Sequence, residues 1–310
     1  MPDTVTPRPK LRQGSRVAIV SPASAARPEL VELGRAQLAA FGYDPVVMPH
    51  ALDRGLDHGP LYYAGTAVHR VADIHAAFAD PTIDALLCTR GGWGSAELLP
   101  LLDPDLIRAN PKAFVGYSDH TSLHIWLWNQ LLLPTFYAPM VAADWSNPDG
   151  VDHRTWRSAL HAEAPWSVNE SDGLRILKRG HAEGRLLGGC LSLLAESLGT
   201  PYALTLDEPT ILFLEDINTK PYQWDRMLHH LRFAGLLQNV RGIVFGDTSA
   251  NIDPAEIALL ESACLHALRD FTGPIAIGLR SGHVAQQNRS IPLGAWVTMD
   301  QATLCEPAPK

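Results

Sequence analysis

Short apolar runs alternate with helix-like stretches along the first 130 residues, and this alternation constrains the fold more than any other feature of the chain. "SRVAIVSPAS" is a β-branched run broken by Ser-Pro. "ELVELGRAQLAAFGYDPVVMP" follows as an amphipathic helix with a glycine stop, leading into a second strand. "RVADIHAAFADPTIDALLCTRGGWGSAELLPLLD" repeats the theme: a helix ended by Asp80-Pro81, a strand from Ile83 to Thr89, a Gly-rich turn and another helix. Strands separated by helices pair in parallel, so the spacing predicts an α/β fold with a mostly parallel sheet. Ligands of such sheets gather beyond the carboxyl ends of the strands.

Two of those ends draw attention. In "KAFVGYSDHTSLHIW" the residues Ala113, Phe114 and Val115 close a buried strand, and Ser118 or Asp119 opens a helix with apolar residues at Leu123, Ile125, Leu127 and Trp128. A sharp turn there would thrust the Ser118 hydroxyl out of the sheet, and a helix N-cap would suit the same residue. In "TRGGWGS" the order Gly91-Gly92-Trp93-Gly94 matches neither the dinucleotide fingerprint nor a Walker A loop. Two successive glycines can instead present bare N–H groups to an anion or oxyanion, or simply make a tight turn.

From about Tyr137 to Arg179 the pattern weakens, as a crossing linker with a short helix would. A second α/β unit follows. "AEGRLLGGCLSLLAESLGTPY" reads as a Gly-Gly turn before a helix, "PTILFLEDI" as a strand delivering Glu215 and Asp216, and "PIAIGLRSGH" as a strand delivering His283 on a Ser-Gly turn. A loop-capping carboxylate and a surface histidine would look the same in isolation. Together, a serine, a carboxylate and a histidine at three strand ends are the parts of a nucleophile, an orienting group and a general base.

Composition removes several classes of function. A formal charge of -8 without a Lys/Arg cluster disfavours nucleic acid and anionic membranes as partners and leaves a small molecule. "MPDTVTPRPKLRQGSRVAIV" has no uninterrupted apolar stretch and no small-residue cleavage site, and no later segment is apolar over a bilayer's thickness, so a cytoplasmic protein is expected. The four cysteines, Cys88, Cys190, Cys264 and Cys305, lie in no metal-ligand or disulfide spacing and read as buried thiols. His120 and His124 fall four apart on one helix face, as zinc ligands can, but Thr121 stands where HExxH enzymes carry glutamate, and no metal is expected.

The set "TRGGWGS", "FVGYSDHTSL", "GRLLGGCLSLL", "LEDINTKPYQWDRML", "GIVFGD" and "SGHVAQQN", in this order and spanning nearly the whole chain, resembles the LD-carboxypeptidase family of serine peptidases, which includes the microcin-immunity peptidases. The resemblance implies Ser118 as nucleophile, Glu215 as the triad carboxylate and His283 as the base. The amide of Asp119 and one from the Gly91-Gly92 turn, assigned to Gly92, would form the oxyanion hole. Gly91, Trp93 and Arg90 are then candidates for substrate binding, Arg90 for a terminal carboxylate.

The implied fold is an N-terminal domain like the class I glutamine amidotransferases (1–145), a linker (146–180) and a smaller C-terminal α/β domain (181–310), with the site between them. The implied reaction is removal of the terminal D-alanine from a murein tetrapeptide, without a cofactor, by a homodimeric cytoplasmic hydrolase. A microcin-C-type peptidase acting on peptidyl or aminoacyl nucleotides is the alternative, with Trp145 or Trp166 as a platform for the base, and a non-catalytic ligand-binding protein is a third reading. Cys190, where asparagine is expected, and Thr219 or Lys220, where an acidic residue is expected, depart from the family pattern.

Overall fold

Among the described residues the first sheet has six strands, five of them parallel, as the alternation requires, and one added antiparallel at an edge. The computed structural model describes residues 4–55, 61–249, 252–284 and 287–307. Strands β1 (Arg16–Val20), β2 (Asp44–Val47), β3 (Ala85–Cys88), β4 (Ala113–Gly116) and β5 (Thr135–Tyr137) stand in the order β5-β4-β3-β1-β2. Helix α1 (Pro28–Phe41) ends at Gly42, whose φ of 107° lies in the left-handed region where a glycine stop belongs. Helix α2 (Ala67–Ala79) is capped by the Thr66 hydroxyl. The helix read after the Gly-rich turn is split into a 3-10 stretch, Ser95–Leu101, and α3 (Pro104–Ala109), because Pro100 and Pro104 withhold the N–H groups a continuous helix needs.

Helix α4 (Thr121–Leu131) follows β4 and is buried almost all round. Leu123, Trp126, Leu127 and Leu131 belong to the core that covers the first sheet, while Ile125 and Trp128 belong to the core of the second half. The helix that starts beside Ser118 is therefore clamped from both sides.

Among the described residues the second sheet has eight strands. It is assembled from β6 (Ser167–Val168), β7 (Arg175–Lys178), β8 (His181–Cys190), β9 (Thr210–Glu215), β10 (Val240–Gly246), β11 (Ile275–Leu279), β13 (Trp296–Asp300) and β14 (Thr303–Cys305), whereas β12 (Ile291–Leu293) leaves it to pair antiparallel with β5 in the first. Strands β8 to β11 are parallel and central. Along β9, Ile211 and Phe213 face one core and Leu212 and Leu214 the other, so a strand buried on both faces reads as an unbroken apolar run. Helices α6 (Leu191–Ser197), α7 (Pro221–Phe233) and α8 (Ile257–Ala267) supply the outer cover, and α5 (His153–Trp156) lies in the segment between the sheets.

The stretch read as a linker contributes β6 and β7, which occupy the two opposite edges of the second sheet. Eight strands laid flat would separate those edges by about 34 Å, yet the chain from Val168 to Arg175 can reach only about 25 Å. The sheet must curl. The Gly-Gly turn expected before α6 is strand instead: Gly188 and Gly189 lie within β8, next to its last residue Cys190, with φ of 134° and 149°. A Cβ on Gly188 would fall 1.9 Å from the Phe213 carbonyl oxygen, so these glycines let β8 approach β9 rather than reverse the chain.

Candidate functional site

Ser118 follows β4 with φ of 65°, a left-handed conformation that a non-glycine residue rarely holds. The turn is held by its surroundings. The Ser118 amide donates to the Tyr137 hydroxyl at 3.0 Å, and neither the 3-10 turn at Ser118–His120 nor α4 has a side-chain N-cap. The Ser118 hydroxyl bonds His283 Nε2 at 3.0 Å instead, so it does not act as the helix cap that the sequence left open.

Glu215 is the last residue of β9 and is buried. Its carboxylate accepts from the His283 amide at 3.2 Å and lies 2.8 and 3.1 Å from His283 Nδ1. Those contacts put the proton on Nδ1 and leave Nε2 with a lone pair toward Ser118. Burial pulls the His283 imidazole down in pKa, but the Glu215 charge and hydrogen bond, with Asp216 and Asp144 behind them, outweigh it and raise it above its ordinary value.

Residues that sequence reasoning did not single out complete the frame. The Tyr137 hydroxyl, which accepts from Ser118, donates to Glu215 and so joins two strand ends from different sheets. Asn288 accepts from the Gly282 amide at 3.0 Å and donates to the Gly282 carbonyl at 3.1 Å, while its amide also reaches Asp144 at 3.0 Å. It pins the loop carrying His283 to the segment after β5. Tyr117 presents its ring edge-on to His283 at 5.3 Å, and burial pushes Asp144 up to about 6. Asn288 lay in a quoted motif, "SGHVAQQN", but nothing in its spacing distinguishes a loop-closing amide from a solvated one.

The Gly-rich turn stands against the serine. A Cβ on Gly91 would lie 2.8 Å from Ser118 Cβ, 2.9 Å from Oγ and 3.4 Å from the Asp119 amide nitrogen. A Cβ on Gly92 would instead meet Ser24 Oγ at 2.3 Å, and that same oxygen accepts from the Trp93 amide at 3.1 Å. Asp119 is buried, and its carboxylate accepts from the Ser95 amide at 2.8 Å, tying the serine turn to the glycine turn. Arg90 and the ring of Trp93 are exposed, and Arg90 enters no ion pair among the described residues.

Other candidates are buried or held in structural contacts. His124 is buried with Nδ1 2.8 Å from Thr135 Oγ1 and Nε2 2.9 Å from the Gly116 carbonyl, and burial pushes it down to about 4 and His120 to about 3. Cys190 and Cys88 are buried thiols whose pKa burial raises. Trp145 packs edge-on against Trp156 at 4.9 Å, and Trp166 is wholly buried with its N–H on the Ser290 carbonyl, so neither offers a face to a nucleobase. Thr219 accepts from the Trp224 indole at 2.8 Å, and Lys220 pairs with Glu256 at 3.3 Å.

Comparison with known proteins identifies the family. The family model of the LD-carboxypeptidase N-terminal domain matches residues 17–138, and that of the LD-carboxypeptidase C-terminal domain matches residues 183–299. A Streptomyces coelicolor protein that bears a carboxypeptidase name is 37% identical over 96% of this chain and 97% of its own. The murein tetrapeptide carboxypeptidase of Pseudomonas aeruginosa is 30% identical over 92% and 93%. The crystal structure of an MccF-like protein from Bacillus anthracis superposes with a TM-score of 0.87 at 26% identity, covering 97% of this chain and 99% of that one. With both domain models matched in order and the relatives covered almost end to end, the chain belongs to the LD-carboxypeptidase family.

Proposed function

We propose that the chain is a serine carboxypeptidase that removes the terminal D-alanine from murein tetrapeptides during cytoplasmic recycling of wall peptides. One observation carries the reading: the unbroken run from Glu215 through His283, 2.8 Å to Nδ1, to Ser118, 3.0 Å from Nε2, with Ser118 on a left-handed turn. His283 takes the Ser118 proton as the hydroxyl oxygen attacks the scissile carbonyl, and Glu215 holds the tautomer and steadies the imidazolium. The Asp119 amide and that of Gly92 receive the oxyanion, the Ser118 amide being committed to Tyr137. His283 then gives its proton to the departing amine of D-alanine, and a water deprotonated by the same imidazole releases the acyl group from Ser118.

Arg90 is the group we assign to the terminal carboxylate, beside the bare backbone of Gly91 and the exposed ring of Trp93. The name of the Pseudomonas relative supports the tetrapeptide as substrate. A second reading, cleavage of a peptidyl or aminoacyl nucleotide, draws on the 39% exposed Trp93, the one tryptophan near the serine with a face free for stacking among the described residues.

The deciding experiment offers purified protein L-Ala-D-Glu-meso-diaminopimelate-D-Ala, the same peptide ending in L-alanine, and an aminoacyl sulfamoyl adenosine, with products read by mass spectrometry. Release of one alanine from the first peptide alone is the expected result. Comparable rates on both peptides would overturn the LD assignment, and turnover of the nucleotide alone would select the second reading.

A further inference from the structure

A second cluster lies where β2 turns toward α2. His50 Nδ1 and His69 Nδ1 stand 2.9 and 3.2 Å from the same oxygen, Oδ2 of Asp53, and the two imidazoles stack with centroids 4.1 Å apart and planes 18° from parallel. All three ligand atoms lie within 4.8 Å of one another. Metal bonds of 2.0–2.2 Å at tetrahedral or octahedral angles separate neighbouring ligand atoms by about 2.8–3.5 Å, so each imidazole nitrogen already stands at coordination-sphere spacing from the carboxylate oxygen.

The backbone under these side chains is fixed rather than loose. The His69 amide donates to Thr66 Oγ1 in the N-cap of α2, and the His50 amide donates to Asp73 on the same helix at 2.9 Å. Ser21 Oγ donates to the Ala51 carbonyl at 2.6 Å, anchoring the turn to the end of β1. A Cβ on Gly65 would crowd Asp53 Cβ at 2.9 Å and Oδ2 at 3.2 Å, so glycine there leaves room for the carboxylate. The three side chains remain 32%, 36% and 44% exposed, which leaves one side of the cluster open to water. Two neutral imidazoles and one carboxylate suit zinc and its neighbours better than calcium or magnesium, which prefer all-oxygen shells.

We infer that His50, Asp53 and His69 bind a divalent transition metal, zinc by the chemistry of the donors, with water completing the coordination. None of the three touches Ser118, His283 or Glu215. The metal is therefore a staple between the end of β2 and the start of α2, not a participant in peptide cleavage, and the inference stands apart from the proposed function. His-x2-Asp-x15-His is not a recognised ligand spacing, which is why the linear sequence did not disclose it.

Protein stripped with a chelator is titrated with Co2+ and then Zn2+, following the visible d–d bands and the melting temperature. One equivalent of Co2+ should bind, be displaced by Zn2+, and raise the melting temperature. His50→Ala and His69→Ala should each weaken binding by about a hundredfold or more, and Asp53→Asn by about tenfold. Because His50 and His69 are partly exposed, the metal-free variants should melt close to the metal-free parent, and His69→Gln provides a hydrogen-bonding replacement if His69→Ala does not fold. Absence of a one-to-one Co2+ signal, or binding unchanged in His50→Ala and His69→Gln, overturns the site and leaves only a histidine–aspartate hydrogen-bond cluster.

Discussion

Tyr137, at the end of β5 in the first sheet, donates its hydroxyl proton to Glu215, at the end of β9 in the second. The same oxygen accepts the Ser118 amide at 3.0 Å. A single phenol thus sets the spacing between the strand that carries the serine and the strand that carries the carboxylate. Burial and the Glu215 charge push the Tyr137 pKa well up, so it stays a donor throughout the working range.

Tyr137→Phe is expected to lower turnover by about 10- to 100-fold, the scale of losing a hydrogen bond to a charged group. With one donor gone, Glu215 presses its charge more fully on His283, so the acid limb of the kcat/KM profile should move to higher pH. A profile that does not move, with turnover intact, would deny Tyr137 a part in setting the site.

Removing the serine and histidine should reveal that they act together. Ser118→Ala and His283→Ala should each cost several orders of magnitude in turnover, about 10³-fold or more, and the double variant should be little worse than either. Melting temperature of Ser118→Ala should stay near that of the parent, because the hydroxyl bonds His283 and caps no helix. An active Ser118→Ala enzyme would end the triad assignment.

The pH dependence has a definite sign. His283 must be neutral to accept the serine proton, and its raised pKa places the rise of kcat/KM above the ordinary imidazole value of about 6.5. In Glu215→Gln the raising charge is lost while the burial that lowers the pKa remains, so the limb should shift to lower pH as the plateau falls by about 10²- to 10⁴-fold. For stability the raised pKa works the other way: the Glu215–His283 attraction contributes fully below the unfolded pKa and is lost as pH rises through the folded one. The difference in melting temperature between parent and His283→Ala should accordingly be largest in mild acid and shrink toward alkaline pH.

Gly91→Ala tests the close approach of the glycine turn. Its methyl would press on Ser118 Cβ and Oγ, so turnover should fall by about tenfold or more with a stability loss of about 1–3 kcal/mol. Parent-like kinetics would show that the turn can withdraw from the serine at little cost.

Chelation should leave peptide turnover unchanged. The proposed chemistry runs through Ser118, His283 and Glu215, and the His50–Asp53–His69 cluster touches none of them. Turnover lost with chelator and restored by zinc would replace the serine mechanism with a metal-assisted one.

The sequence by itself determined what local rules can determine. A strand needs only β-branched residues between turn signals, and a helix stop needs only a glycine that tolerates φ of 107°, so β1, α1, β4 and β9 were legible, as were the residues their ends present, Ser118 and Glu215. The motif "SGH" also marked His283 in advance. Tertiary structure decided which of these ends meet. The 2.8 and 3.0 Å contacts of His283 join positions 68 and 165 residues away in the chain, and no periodicity encodes such a distance. It likewise decided that Gly188 and Gly189 lie in a strand, because at Gly188 the carbonyl of Phe213, on a neighbouring strand, leaves no room for a side chain. Tyr137 and Asn288 escaped notice for the same reason: one hydroxyl or amide is ordinary in a sequence, and it becomes structural only when the chain folds its partners to within hydrogen-bonding reach.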